Sequence, residues 1–250
     1  MIIRIREVSI ELPKRGRRSP EYSDITSKFF KQFGGGEKAI EKLMEVMRKK
    51  IGENFGEGES EATHWGEMNV KRPILTKSER HHSFRHRYSY VGPFRYPHRA
   101  LLPISDGRAW HHRAAGKGGT LLIDCSGSMS LRNEQILEVL KNNPLATVAV
   151  YYGAGDNQTG DLTVLAAHNR YAAGHDYRAH HYGGGNVVDY PALSWLAHQE
   201  RPRIWVCDGI VTGVNDAGAN LTMLKQVATI LLRADIRWLR HVSQIPKGKL

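Results

Sequence analysis

Four residues in two short stretches carry the oxygen atoms with which this chain could do chemistry. The first stretch is "GTLLIDCSGSMS", residues 119–130, in which Asp124, Ser126 and Ser128 alternate. The second is "RPRIWVCDG", residues 201–209, which closes an apolar run with Asp208. In an extended or gently turning loop, alternate residues project to one side, so one carboxylate and two hydroxyls can share a face. A second carboxylate opposite them completes an all-oxygen set. Hard divalent cations take such ligands, Mg²⁺ in near-octahedral geometry with several waters retained, and Mn²⁺ and Ca²⁺ in related ones. Nothing in either stretch favours zinc. Cys125 and Cys207 adjoin the two aspartates, and strand alternation turns both thiols away from the rim. A structural reading stands beside this one: the serines can instead cap the helix that follows.

The elements that must position these residues are legible in the second half of the chain. "TLLI" is a buried strand, and Asp124 is the first residue to emerge from it. "LRNEQILEVLKNNP" places Ile136, Leu137, Val139 and Leu140 on a helical face, and Pro144 stops the helix. "LATVAVYYGA" and "DLTVLAAH" are strands joined through the turn "GDNQTG", and they form a hairpin. "VVDYPALSWLAHQE" is helical. "NDAGANLTMLKQVATILLRAD" is a long helix with Asn215 or Asp216 as cap and Leu221, Leu224, Ala228 and Leu231 on one face. "IRWLRHV" is the last strand. Strands alternating with helices predict an α/β domain whose mainly parallel sheet is flanked by helices. In such sheets ligands sit at the carboxyl ends of the strands, where both aspartates fall.

With these elements in order, "DCSGSMS" resembles the D-x-S-x-S motif of von Willebrand factor A (vWA) domains, their metal-ion-dependent adhesion site. "WVCDG" resembles the second metal aspartate of that family, on its fourth strand. The likeness runs from about Gly119 to Val242, roughly half the chain. It implies a Rossmann-like vWA fold and a Mg²⁺ site. Ser126, Ser128 and a loop residue would hold the ion directly, with Asp124 and Asp208 acting partly through water. The family's glycine-rich loop ends in threonine; here "GGGN" puts Asn186 in that place, and its amide oxygen can serve as ligand. Asp189 is an alternative, less suited because it falls within the helix. The resemblance further implies recognition rather than catalysis: an acidic side chain of a partner protein completes the metal shell, and no general base is needed. It also makes the first and fourth strands neighbours, bringing Cys125 and Cys207 together. A disulfide there requires Cα atoms within about 7 Å, and free buried thiols are the expected state in a reducing compartment.

Charge divides the chain. The net charge is +11, and residues 1–120 hold 24 Lys and Arg against 14 Asp and Glu, while the remainder is nearly balanced. Residues 1–68 read as two helices, separated by Gly34–Gly36, and a linker. In the second helix Ile40, Leu43, Met44 and Met47 form a stripe that reads as plain packing. "GEGESEATHWGEMNV" reads as a polar linker or exposed loop. Residues 69–117 form a basic Arg, His and aromatic extension, and 118–250 the vWA-like domain. Within the extension, Arg80, Arg85, Arg87, Arg95 and Arg99 are candidates for contacts to nucleic acid or an acidic partner. The segment can equally build extra strands against the domain. Its histidines lack the spacing of a zinc site.

No run of about 18 apolar residues could span a bilayer, and the first residues lack the apolar core of a secretory signal. The expectation is a cytoplasmic, non-enzymatic module. "WGEMNVKRP" and "GGGN" resemble bacterial A-domain proteins that work beside MoxR-type AAA+ ATPases. The alternatives are a structural component of a large assembly such as a phage virion, and an RNA-binding vWA protein.

Overall fold

The computed structural model describes residues 2–3, 24–55, 64–77, 118–168, 170–172, 187–214 and 218–246. Its centre is strand β4 (Thr120–Asp124), buried along its whole length. Before it in the chain come β1 (Ile2–Ile3), α1 (Ile25–Phe33), α2 (Glu37–Phe55), β2 (Glu67–Lys71) and β3 (Leu75–Lys77). After it come α3 (Asn133–Asn142), β5 (Thr147–Gly153), β6 (Thr159–Ala167), β7 (Arg170–Ala172), α4 (Asp189–Ala197), β8 (Arg203–Val206), α5 (Leu221–Arg233) and β9 (Ile236–Leu239).

All nine strands join one sheet in the order β1-β2-β6-β5-β4-β8-β9, with β7 paired to β6 and β3 to β7. The block β5-β4-β8-β9 is parallel throughout. β6 returns antiparallel to β5, as the hairpin reading expected, and β2 lies parallel to β6. The fold is therefore α/β with a mixed, mostly parallel central sheet.

Alternation along β4 sorts the core into two faces. Leu121 and Ile123 meet Ile136, Val139 and Leu140 of α3 on one side. Leu122 faces the other side, where α2, α4 and α5 pack over Tyr151, Trp205 and Trp238. Two positions assigned to buried helical faces lie outside them: Leu137 is 48% and Leu221 51% exposed. Each stands at the margin of its helical stripe, where 3.6-residue periodicity alone does not decide burial. The cap of α5 is Asn220, whose side chain accepts from the Met223 N–H at 3.1 Å. The expected caps Asn215 and Asp216 lie outside the described residues.

The N-terminal elements share this core. Ala39, Leu43, Met47 and Ile51 of α2, one turn apart, are fully buried among α4 and α5 residues, with Ile40 and Met44 packed beside them. The methionine stripe is packing. The stretch read as a linker becomes structured before its end. Trp65 stacks on Tyr190 at 5.7 Å and donates to Gln226 Oε1 at 2.7 Å, and Gly66 N–H bonds Val187 O at 2.8 Å. Gly66 has to be glycine here, because a Cβ would lie 2.5 Å from Gln158 O. Those contacts deliver Glu67 into β2, whose Met68 and Val70 face inward. The core thus runs across residue 68, and the beginning of the basic segment supplies β3, which pairs with β7. Among the described residues no helix is long and apolar enough to cross a membrane.

Candidate metal centre at the strand rim

Asp124 ends β4 with 1% of its surface exposed. Its Oδ1 accepts the Ser126 N–H at 2.8 Å, which closes a tight turn over the strand end. Its Oδ2 is buried with no hydrogen-bond partner. The chain then makes a single 3-10 turn, Gly127–Met129, leaving by the left-handed Ser130 (φ 46°). That turn, rather than extended alternation, brings Ser126 Oγ and Ser128 Oγ within 3.0 Å of each other. Neither α3 nor the 3-10 turn is capped by these serines. The side chain of Ser126 makes no cap bond, and the first turn of α3 is closed by Gln135 Oε1, which accepts the Arg132 N–H at 2.8 Å.

β8 runs beside β4 in parallel, pairing Leu122 with Trp205 and Ile123 with Val206. The next step in that register sets Cys207 beside Asp124. Asp208 follows in a loop whose Oδ1 accepts the Ile210 N–H at 2.9 Å. Gly209 makes the loop possible: its φ is +91°, and a Cβ would stand 2.4 Å from the Trp238 ring. Trp238 in turn donates from Nε1 to Cys207 O at 2.8 Å and holds the loop from beneath. Asp124, Cys207 and Asp208 consequently bring one ligand atom each within 4.8 Å of one another.

Cys207 departs from the expectation that both thiols turn away. Alternation sets Cys207 on the face of Trp205 and of its register neighbour Asp124, and it is Asp208 that leaves the strand pattern by entering the loop. Its Sγ lies 3.7 Å from Asp208 Oδ1. Burial, with the charges of Asp124 and Asp189 next, pushes this thiol well above its ordinary value. Cys125 does turn away, into the α3 side of the core. The cysteines occupy opposite faces of the sheet and both are free, although their strands are neighbours.

A second polar group reaches the same region through the core. Tyr151 is the register partner of Asp124 on β5. Its hydroxyl donates to Asp189 Oδ1 at 2.7 Å and accepts the Trp205 Nε1–H at 2.9 Å. Asp189, the first residue of α4, is fully buried, and its Oδ2 also lacks a hydrogen-bond partner. Desolvation raises both carboxyls: Asp124 to about 7, against the opposing Ser126 N–H and with the Asp208 charge adding to the rise, and Asp189 well above its ordinary range. Tyr151 and Asp189 were not picked out as a pair by sequence. The available signals were a carboxylate inside the apolar run "VVDYPALSWLA" and a tyrosine inside "VAVYYG".

The chain matches no family model, no curated protein and no solved structure.

Asp124, Cys207 and Asp208 form a group that could hold a metal ion, with two carboxylates and one thiol as the donors. Where β4 and β8 end, the Ser126 and Ser128 hydroxyls lie 3.0 Å apart just after Asp124, whose buried Oδ2 has no partner and whose carboxylate groups with that of the partly exposed Asp208. An orphaned buried carboxylate oxygen is costly, and a bound cation is one of the few groups that relieves it. Ser128 is exposed while Asp124 is buried, so the cluster grades from interior to surface and is open on one side. Asn186 and Arg80, Arg85, Arg87, Arg95 and Arg99 lie outside the described residues.

Proposed function

We propose that this chain is a vWA-like protein-interaction module in which a divalent cation, Mg²⁺ or Mn²⁺, bridges it to a partner. Ser126 and Ser128 would hold the ion directly, Asp124 and Asp208 directly or through water, and Asn186 from the glycine-rich loop. One coordination position faces solvent and takes an acidic side chain of the partner. The cation supplies a Lewis-acidic seat for that carboxylate; the chain's residues orient and partly desolvate it. Recognition of this kind needs no general base, and the reading is non-enzymatic and cytoplasmic, with a MoxR-type AAA+ ATPase as the partner class.

The observation that carries this reading is the unpartnered Oδ2 of Asp124, fully buried at the end of the central strand beside two hydroxyls that cap nothing. The test is a pull-down with wild type and Asp124→Ala, each with Mg²⁺ and with EDTA. Partner retained only by wild type with Mg²⁺ supports adhesion. Equal retention in all four arms points to a scaffold, and loss of captured nucleic acid with rising salt points to RNA binding.

A further inference from the structure

The cluster contains one more carboxylate than recognition of an acidic partner requires. Resting on the cation reading above, we infer that Asp189 belongs to the outer shell of the ion, reaching it through water, and makes the cation a resident of the free protein.

Three geometric facts support this assignment. Asp124 and Tyr151 are register partners on neighbouring parallel strands, so their side chains share a face of the sheet. Cys207, the next step in the β4–β8 register, belongs to the same core face as Tyr151 and Trp205. Asp189 is bonded to Tyr151 on that face through Oδ1, which fixes the carboxylate at the first turn of α4. Its other oxygen is buried and unpartnered, as is Oδ2 of Asp124. Each of these two orphaned carboxylate oxygens is costly to leave bare, and a cation reached directly or through water satisfies both at once, where a proton satisfies one. The tight group of ligand atoms consists of Asp124, Cys207 and Asp208, without Asp189, which is why it is assigned the outer shell and not the inner one.

The hydrogen-bond chain from Trp205 to Tyr151 to Asp189 has the form of a support that orients an outer carboxylate. Its end product is retention. With three carboxylates around a doubly charged ion, Asp124, Asp189 and Asp208 hold the cation before any partner arrives. An incoming oxygen then replaces a water on a loaded site. Asp189 is a positioning residue: it acts on the ion through water and contacts no partner.

Mn²⁺ binding to the isolated protein, followed by calorimetry and by the loss of the free-ion paramagnetic resonance signal, separates the possibilities. Wild type is expected to bind one Mn²⁺ without partner, Asp189→Asn to bind it at least about tenfold more weakly, and Asp124→Ala not to bind. The metal-free melting temperature of Asp189→Asn should equal or exceed that of wild type, since the amide oxygen can keep the Tyr151 bond and the variant removes a buried group that is costly to ionise; a purely structural role would move the melt and leave the Mn²⁺ affinity alone. Should Asp189→Asn fail to fold, Tyr151→Phe asks the same question and should weaken Mn²⁺ several-fold. Wild-type affinity in both variants overturns the role of Asp189 and leaves the cation site standing. No Mn²⁺ bound by wild type overturns both.

Discussion

Asp124 and Tyr151 are direct register partners on adjacent parallel strands, yet only the tyrosine has its polar atom fully engaged. The Tyr151 hydroxyl donates a hydrogen bond to Asp189 and accepts one from Trp205, while Asp124 satisfies a single oxygen on the Ser126 N–H. The difference between these neighbours leaves one buried carboxylate oxygen without a partner at the end of the central strand.

Cation binding should therefore stabilise the fold. A ligand that binds only the native state adds about 2.7 kcal/mol at a concentration 100 times its dissociation constant. Differential scanning calorimetry should show the wild-type melting temperature rising with Mg²⁺ and returning with EDTA. Asp124→Ala should show neither response, and an equal rise in the variant would place the effect elsewhere.

In chelator, stability should fall as pH rises. The folded Asp124 carboxyl is raised from an ordinary value of 3.8 to about 7, because burial disfavours its charge. A group whose folded value lies above its unfolded one favours the native state fully below the lower value and loses that contribution as pH climbs through the higher. The loss should run between about pH 4 and pH 7 and amount to a few kcal/mol. Asp124→Asn should make this profile shallower, the raised Asp189 carboxyl accounting for what slope is left, and should melt higher than wild type at pH 8 without metal. A wild-type profile already flat over that interval would contradict the buried, unpaired carboxylate.

Gly209→Ala should injure the site from outside it. The left-handed backbone and the Trp238 ring 2.4 Å from the new Cβ leave no room for the methyl group. Overpacking of this kind costs about 1–3 kcal/mol, and relief requires the Asp208 loop to lift. Urea unfolding should report the stability loss and Mn²⁺ titration a weakened site, whereas an unchanged midpoint would show that the loop is free of Trp238.

Tyr151→Phe strands two buried groups, Asp189 Oδ1 and Trp205 Nε1. Leaving a buried polar group unsatisfied costs about 1–3 kcal/mol. A lower urea midpoint with an unchanged slope is the expected signature, and loss of stability below a few tenths of a kcal/mol would mean that water takes over the hydroxyl's role.

Both thiols should stay free under oxidising conditions. Cys125 and Cys207 lie buried on opposite faces of the sheet. A thiol-reactive chromophore should label neither in the native protein and both in guanidinium, and a reductant should leave the melting temperature unchanged.

Much of this architecture was legible in the residues. The apolar runs before Asp124 and Asp208, the turn "GDNQTG" and the helical periods of α3, α4 and α5 all follow from local chemistry: burial of alternating or continuous apolar side chains, and turn residues between them. The two aspartates stood out because a charged residue ending a buried strand has few places to go. Less visible was the membership of α1, α2 and β2 in the same core. Met68 and Val70 sit in a stretch rich in glycine and charge, and only pairing with β6 turns it into a strand.

The sequence by itself determined the helices α1 to α5 and the strands β4, β5, β6, β8 and β9, and that two carboxylates and two serines stand at strand ends, because those properties depend on neighbours along the chain. Tertiary structure alone decided that Cys207 joins the acidic cluster while Cys125 leaves it, that a 3-10 turn couples Ser126 to Ser128, and that Tyr151 ties Asp189 into the core beside Asp124. Those relations depend on parallel register between strands more than 25 residues apart and on a loop bent over Trp238, which pairing and packing set and local sequence does not encode.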